Sequence, residues 1–267
     1  MTTLCVATLN IWNRFGPWEK RLAAIRAGVA TLEPDLLGLQ EVVRLDPGEG
    51  DELDQAAAIS AGFGYHCAYG RARDEPWIGN AVLSRWPIGQ SHVFELPRGG
   101  TDERRVLLFA EVQAPIGRIP LFVTHLNWKF GEGHVREAQV REIALRVEAL
   151  VQPDGFPPIL LGDFNAEPMA DEIRFLRGLT SLGGGRRVCF QDAFETAGDG
   201  SPGYTFARRN PFAAPLGEPN RRIDYVFVHG PSDRRRGEPI EAQICFDQPV
   251  DETFPSDHFG VIAKLRI

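Results

Sequence analysis

A chain of 267 residues with 43% hydrophobic content holds enough apolar mass for one large core or two ordinary domains, which excludes a disordered or fibrous polypeptide. Its formal net charge of -7 opposes long-range attraction to polyanions, so general affinity for DNA or RNA is disfavoured. No apolar run reaches about 18 residues, and no basic, apolar and small-residue order opens the chain; neither a membrane span nor a signal peptide is expected, and the cytoplasm is the expected compartment.

From the N-terminus, the apolar runs and their periods predict a strand at 4–11, a helix at 19–31 and strands at 36–43, 65–70, 80–86, 92–96, 106–112 and 120–126. A helix follows at 135–151, with Val140, Ile143, Val147 and Leu150 on one face, as packing on a sheet requires. Further strands are predicted at 159–164, 222–229, 241–246 and 258–267. The stretch 178–220, with Gly183-Gly184-Gly185 and several prolines, reads as mobile surface loops. No Ser- or Pro-rich linker divides the chain, so one domain over 1–267 is expected. Cys5, Cys67, Cys189 and Cys245 lie too far apart for a zinc or dithiol motif and read as reduced thiols. Basic groups occur at Arg186-Arg187, Arg208-Arg209, Arg221-Arg222 and 234–236, all in turn-rich settings. The last reads as a solvated loop, whereas Arg221-Arg222 abuts a predicted strand.

Two strings concentrate chemistry. Pro157-Pro158-Ile159-Leu160-Leu161 is too short for a helix and closes on Gly162-Asp163-Phe164-Asn165, so a buried strand delivers Asp163 and Asn165 to its end. Ser256-Asp257-His258 opens the run Phe259-Gly260-Val261-Ile262-Ala263 and places its polar pair at a strand's beginning. The chain also echoes itself. Thr8-Leu9-Asn10, a helix and Leu36-Leu37-Gly38-Leu39-Gln40-Glu41 are matched by Thr124-His125-Leu126-Asn127, a helix and Leu160-Leu161-Gly162-Asp163-Phe164-Asn165. Two such strand-helix-strand units facing each other as layered sheets bring Asn10, Glu41, His125, Asn127, Asp163 and Asn165 toward one cleft.

With Leu39-Gln40-Glu41-Val42, Arg222-Ile223-Asp224-Tyr225-Val226 and Ser256-Asp257-His258 added in order, the chain resembles the endonuclease/exonuclease/phosphatase superfamily. The resemblance implies an α/β fold, a four-layered α/β sandwich with two packed mixed β-sheets flanked by helices, and a divalent-metal phosphoesterase site at the strand ends. It implies Glu41, Asn10 and Asp257 as ligands of Mg2+ or Mn2+, for which oxygen donors suit better than zinc's preferred sulfur and nitrogen. It further implies that Asp163 orients or deprotonates the attacking water, that Asn165 holds a phosphoryl oxygen, and that Asp224 fixes the imidazole of His258. His125 would contact phosphate or assist the leaving group, with Asn127 adding an amide hydrogen bond.

A phosphodiester is anionic and resists hydroxide, so its hydrolysis calls for a cation on the phosphoryl oxygens, a positioned water and relief of charge on the leaving oxygen. Each residue has a plainer reading: Glu41 as an exposed strand-end carboxylate, Asp163 and Asn165 as turn formers, His125 as a structural histidine. His66, His92, His134 and His229 match no motif and read as surface or packing residues. Abasic-site endonucleases carry an acidic residue two positions after the first asparagine, where this chain has Trp12. Trp12 and Trp128 follow predicted catalytic strand ends and read either as an aromatic rim or as core. The expected activity is therefore metal-dependent hydrolysis of a small or amphiphilic phosphoester. Cleavage of DNA or RNA by the same fold, and a noncatalytic binding module on this scaffold, stand as the alternatives.

Overall fold

The computed structural model describes residues 3–45, 53–72, 77–151, 155–183, 188–230, 232 and 235–267; Arg186, Arg187, Arg234 and two glycines of Gly183-Gly184-Gly185 lie outside them. Strand β1 (Thr3–Asn10) crosses through helix α1 (Trp18–Leu32) to β2 (Leu36–Val43). Helix α2 (Gln55–Ser60), β3 (His66–Arg71), β4 (Ile78–Ser84), β5 (Ile88–Glu95) and β6 (Val106–Ala114) follow. Strand β7 (Gly117–His125) then crosses through α3 (Gly133–Leu150) to β8 (Ile159–Asp163). The chain ends through α4 (Asp171–Leu176), β9 (Phe190–Asp192), α5 (Ala193–Ala197), β10 (Asp224–His229), β11 (Pro239–Cys245) and β12 (Gly260–Arg266).

These strands make two six-stranded sheets, ordered β11-β12-β1-β2-β4-β3 and β5-β6-β7-β8-β10-β9. Each is mixed: β1–β2 and β7–β8 are parallel, and their other neighbours antiparallel. The helical crossovers are what parallel neighbours require, because a short turn cannot return the chain to the same end of the sheet.

Alternation along the strands builds three apolar layers. Leu4 and Val6 of β1, Leu36 of β2, Leu121 and Val123 of β7 and Ile159 and Leu161 of β8 meet between the sheets. Leu9, Leu37 and Leu39 turn outward onto Ile25 and Val29 of α1 and onto Ile59 of α2. Phe122 and Leu160 turn outward onto Val140, Ile143 and Val147 of α3. The result is helix, sheet, sheet, helix, as the resemblance implied. Gly38 sits where the sheets approach, and a Cβ there would lie 2.9 Å from Leu161 Cδ1.

The predicted strands and long helices recur within a few residues of their expected bounds. Three short helices and β9 had no sequence counterpart, because one or two turns hold too few residues to show a period. Stretch 178–220 departs furthest from expectation. Among its described residues are β9, α5 and fully buried Thr205 and Asn210. Asn210 donates to Ser256 O at 2.8 Å, so this stretch is packed against the site-bearing turn.

Candidate active site

Register alone assembles half of the site. His125 ends β7 opposite Asp163 of β8, and Asp163 lies opposite Asp224, the first residue of β10. Three adjacent strands thus place an imidazole and two carboxylates side by side on the inner face. Gly162 makes the approach possible: its φ is +149°, and a Cβ there would stand 2.0 Å from the carbonyl oxygen of Thr124. Thr205 Oγ1 accepts from Ile223 N at 3.0 Å and Asp224 N at 3.1 Å, fixing the start of β10.

His258, just before β12, completes this group from the other sheet. Its Nδ1 is 2.9 Å from Asp224 Oδ2, and its Nε2 is 3.7 Å from Asp163 Oδ2. His125 Nε2 is 3.4 Å from the same Asp163 oxygen. Asp163 also anchors Asn165, whose N–H donates to Asp163 Oδ1 at 2.9 Å in a turn with Asn165 at a left-handed φ of 51°. The side-chain nitrogen of Asn165 donates to Leu126 O at 3.2 Å.

Glu41 arrives differently. Pairing of β2 with β4 slips between Leu39 and Val42, and Glu41 takes a left-handed φ of 58°. Simple alternation from Leu39 would send this side chain outward; the bulge turns it into the cleft. There Asn10 Nδ2 bridges the two sheets, donating to Glu41 Oε1 at 3.2 Å and Asp163 Oδ2 at 3.0 Å. Asn10 Oδ1, expected to offer oxygen to a metal, accepts from Trp12 N–H at 3.0 Å, and its nitrogen faces the carboxylates.

Electrostatics divide the site in two. Burial raises the Glu41 carboxyl above its ordinary range, against the Asn10 hydrogen bond, and pushes Asp257 up to about 7 despite the nearby His258. Burial, then repulsion from Asp224, raises Asp163 as well. Burial disfavours charge on His258, yet Asp224 and Asp163 outweigh it and hold the imidazole well above its usual value.

One cleft of about 440 Å³ exposes Glu41, His125, Asp163, Asn165 and His258. Asn10, Asp224 and Asp257 lie outside its lining; the first two act on it through the contacts above, and Asp257 Oδ1 accepts from Ser256 Oγ at 3.2 Å. Asn127 is fully buried and outside the lining too. Its Oδ1 accepts from Lys129 N at 3.2 Å, and its Nδ2 has no hydrogen-bond partner among the described residues. Trp128 does form part of a rim, half exposed, together with Phe15 and Leu216. Trp12 packs instead against Phe212, with ring centroids 4.9 Å apart, and under the Arg21 guanidinium.

Residues 7–258 match the model of the Endonuclease/Exonuclease/phosphatase family. The chain belongs to that family. Its members are hydrolases acting on phosphoester bonds. The chain is 26% identical to Nocturnin of Xenopus laevis over 93% of its own length and 64% of that protein's. It is 29% identical to YbhP of Escherichia coli K12 over 85% of each. It also superposes on Danio rerio TDP2 complexed with a single-strand DNA product, with a TM-score of 0.77, full coverage of both chains and 18% identity.

Two neighbours of the site were given no role from the sequence. Arg21 is completely buried in α1 and donates to the carbonyls of Ile11 (2.6 Å), Trp12 (3.2 Å), Asn13 (3.0 Å), Phe15 (2.9 Å) and Pro255 (3.2 Å). It thereby ties the loop after Asn10 to the turn before Asp257, and burial lowers its pKa to about 10. The signal was an arginine on the apolar stripe with Ala24, Ile25 and Val29. Ser256 is the other, its Oγ donating to Asn10 O at 2.6 Å and so joining β1 to the same turn.

Proposed function

We propose that the chain, acting as one domain over 1–267, is a divalent-metal-dependent phosphoesterase that attacks phosphorus with an activated water. The observation that carries this reading is the buried Asp163 carboxylate set between the Nε2 atoms of His125 and His258, with His258 Nδ1 held by Asp224. An Asp163 carboxyl raised by burial is a stronger base than a free one, so it suits removal of a proton from water. His258, kept protonated by Asp224 and Asp163, donates from Nε2 to a phosphoryl oxygen rather than accepting the proton. His125 serves the leaving oxygen, and Asn165 steadies the phosphoryl group from the adjoining turn.

The donor chemistry fits a hard cation. Glu41 and Asp257 repel one another, both are raised by burial, and the nearby Arg21 spends its donors on carbonyls. Glu41 and Asp257 would hold Mg2+ or Mn2+, with Asn10 setting the angle of Glu41. Among the described residues Asp163, Asp224 and His258 also bring ligand atoms within 4.8 Å of one another. We assign that trio to proton handling, on the 2.9 Å hydrogen bond inside it. A bound divalent cation neutralises charge on the phosphoryl oxygens.

The cleft volume and the acidic surface favour a small or amphiphilic phosphoester. Likeness to a TDP2 holding single-strand DNA supports the second reading, a nuclease of the same fold. The deciding test is hydrolysis of bis(p-nitrophenyl) phosphate by purified protein with Mg2+ and with EDTA. Turnover should vanish in EDTA and fall about 10² to 10⁴-fold in His258→Ala; unchanged turnover in either arm refutes the assigned roles. EDTA-sensitive nicking of a plasmid, with a steep salt dependence, would promote the nuclease.

A further inference from the structure

The adjacent arginines before β10 do different jobs. Arg222 donates to Asp192 Oδ2 at 2.6 Å and lies over the Phe194 and Tyr225 rings at 5.6 and 4.9 Å, so it is spent on packing. Arg221 is as deeply set, at 5% exposure, but lines the cleft. Its guanidinium lies 4.5 Å from the Phe130 ring and 5.6 Å from Phe206, and its Nε is buried with no hydrogen-bond partner among the described residues. Its anionic partner is Glu218, which is more exposed and lines the same cleft.

This cation is held rigidly. Arg221 and Phe206 exchange backbone hydrogen bonds of 2.8 and 2.9 Å, and Phe206 bridges to the backbone of His258. The Phe206 ring also meets the His258 ring edgewise at 5.0 Å. Arg221 thus shares the Phe206 ring with His258 and lines the same cleft as His258 and Asp163, where it can hold an anionic group next to the reacting one. A planar guanidinium with a donor to spare recognises oxyanions in preference to neutral groups. In a chain of net charge -7, a fixed cation is also what lets a second negative charge enter.

We propose that Arg221 is a receptor for a second anionic group on the substrate, so that the substrate is a phosphoester carrying another phosphate or carboxylate away from the reacting phosphorus. The proposal rests on the phosphoesterase reading only in placing the reacting group at Asp163 and His258. Glu218 occupies Arg221 in the free enzyme and is displaced when the second anion binds.

The test is calorimetric binding of nonhydrolysable probes in excess Mg2+. The probes are α,ω-bisphosphonates of increasing spacer length, the phosphonocarboxylates of the same lengths and the corresponding alkyl monophosphonates. Wild type should favour a doubly charged probe of one length by about tenfold or more over the monophosphonate, and the two doubly charged series identify the second group. Arg221→Gln should erase that preference while leaving monophosphonate affinity unchanged. Glu218→Gln should tighten the doubly charged probe several-fold, an opposite sign that a merely structural ion pair would not give. Absence of preference in wild type, equal losses for both probe classes in Arg221→Gln, or weakening or no change in Glu218→Gln overturns the proposal; the last arm decides alone should Arg221→Gln fail to fold. Because binding is read without turnover, a failed phosphoesterase assay beside an intact charge preference refutes the catalytic reading and not this one.

Discussion

In both sheets one helix crosses a parallel pair, and in both a threonine stands opposite a glycine: Thr8 opposite Gly38, and Thr124 opposite Gly162. The faces are opposed. Leu36 points inward and Leu37 outward, whereas their sequence counterparts Leu160 and Leu161 point outward and inward. A one-residue change of phase sends every side chain to the other face of a sheet. The second sheet therefore presents His125 and Asp163 by plain alternation. The first sends Leu9 and Leu39 into the outer core, and reaches the cleft through His258 and through a bulge that turns Glu41 around. The second sheet presents its imidazole and two carboxylates on regular strands; the first presents Glu41 on left-handed backbone, and His258 and Asp257 in the turn before β12.

Substitutions on the two sides should separate these jobs, and this is the largest effect expected. Asp163→Asn should lower turnover about 10³-fold or more while Mg2+ still raises the melting temperature. Glu41→Gln should also lower turnover but abolish that Mg2+-induced rise. Retention of the metal response in Glu41→Gln would remove the division between the sheets.

The layers were legible because their signals are local: Ile159-Leu160-Leu161 can only be a short buried strand, and the stripe of α3 has a helical period. Side-chain identity also marked Glu41, His125, Asp163, Asn165 and His258, which line the cleft, and Asn10, Asp224 and Asp257, which do not. Phase was not legible, since identical Leu-Leu-Gly strings face opposite ways according to partners distant in sequence. Nor was the role of Asn10, whose amide orientation follows from Glu41, Asp163 and Trp12 together. Thr205 and Asn210 were hidden in a glycine- and proline-rich stretch whose order comes from tertiary contacts rather than periodicity. Arg21 was visible only as a charge on an apolar face, and its meaning lies in carbonyls of residues 11–15 and 255.

Removal of Arg21 attacks the irregular side. Arg21→Met leaves five carbonyl contacts unmade beneath Asp257 and Glu41, and should cost about 3 kcal/mol in urea unfolding. Equal stability in the variant would show that the loops hold themselves.

The two equivalent glycines give a smaller and more direct contrast. A methyl at Gly162 meets backbone, 2.0 Å from Thr124 O, which cannot move without breaking the β7–β8 ladder. A methyl at Gly38 meets side-chain carbons of Leu161 and Val123 at 2.9 to 3.1 Å, which can repack. Gly162→Ala should thus cost about 3 kcal/mol and depress activity, and Gly38→Ala about 1 to 2 kcal/mol with activity kept. The reverse order in denaturant midpoints would contradict the register described above.

The smallest effect tests the charge imbalance of the first sheet. Asp257 is raised to about 7 from an ordinary 3.8, so the folded protein binds its proton more tightly than the unfolded chain does. Stability from this group is fully present below the unfolded pKa and is lost as pH rises through about 7. In EDTA, Asp257→Asn should therefore match wild type near pH 4 and exceed it by about 1 to 2 kcal/mol at pH 8, where wild type carries a buried carboxylate beside Glu41. Mg2+ should narrow that gap in wild type by supplying the missing positive charge, and Asp257→Asn should be more stable and less active at once. A difference in melting temperature that stays flat from pH 4 to 8 would show that Asp257 is already compensated within the protein, and would leave Glu41 alone as the carboxylate in need of a cation.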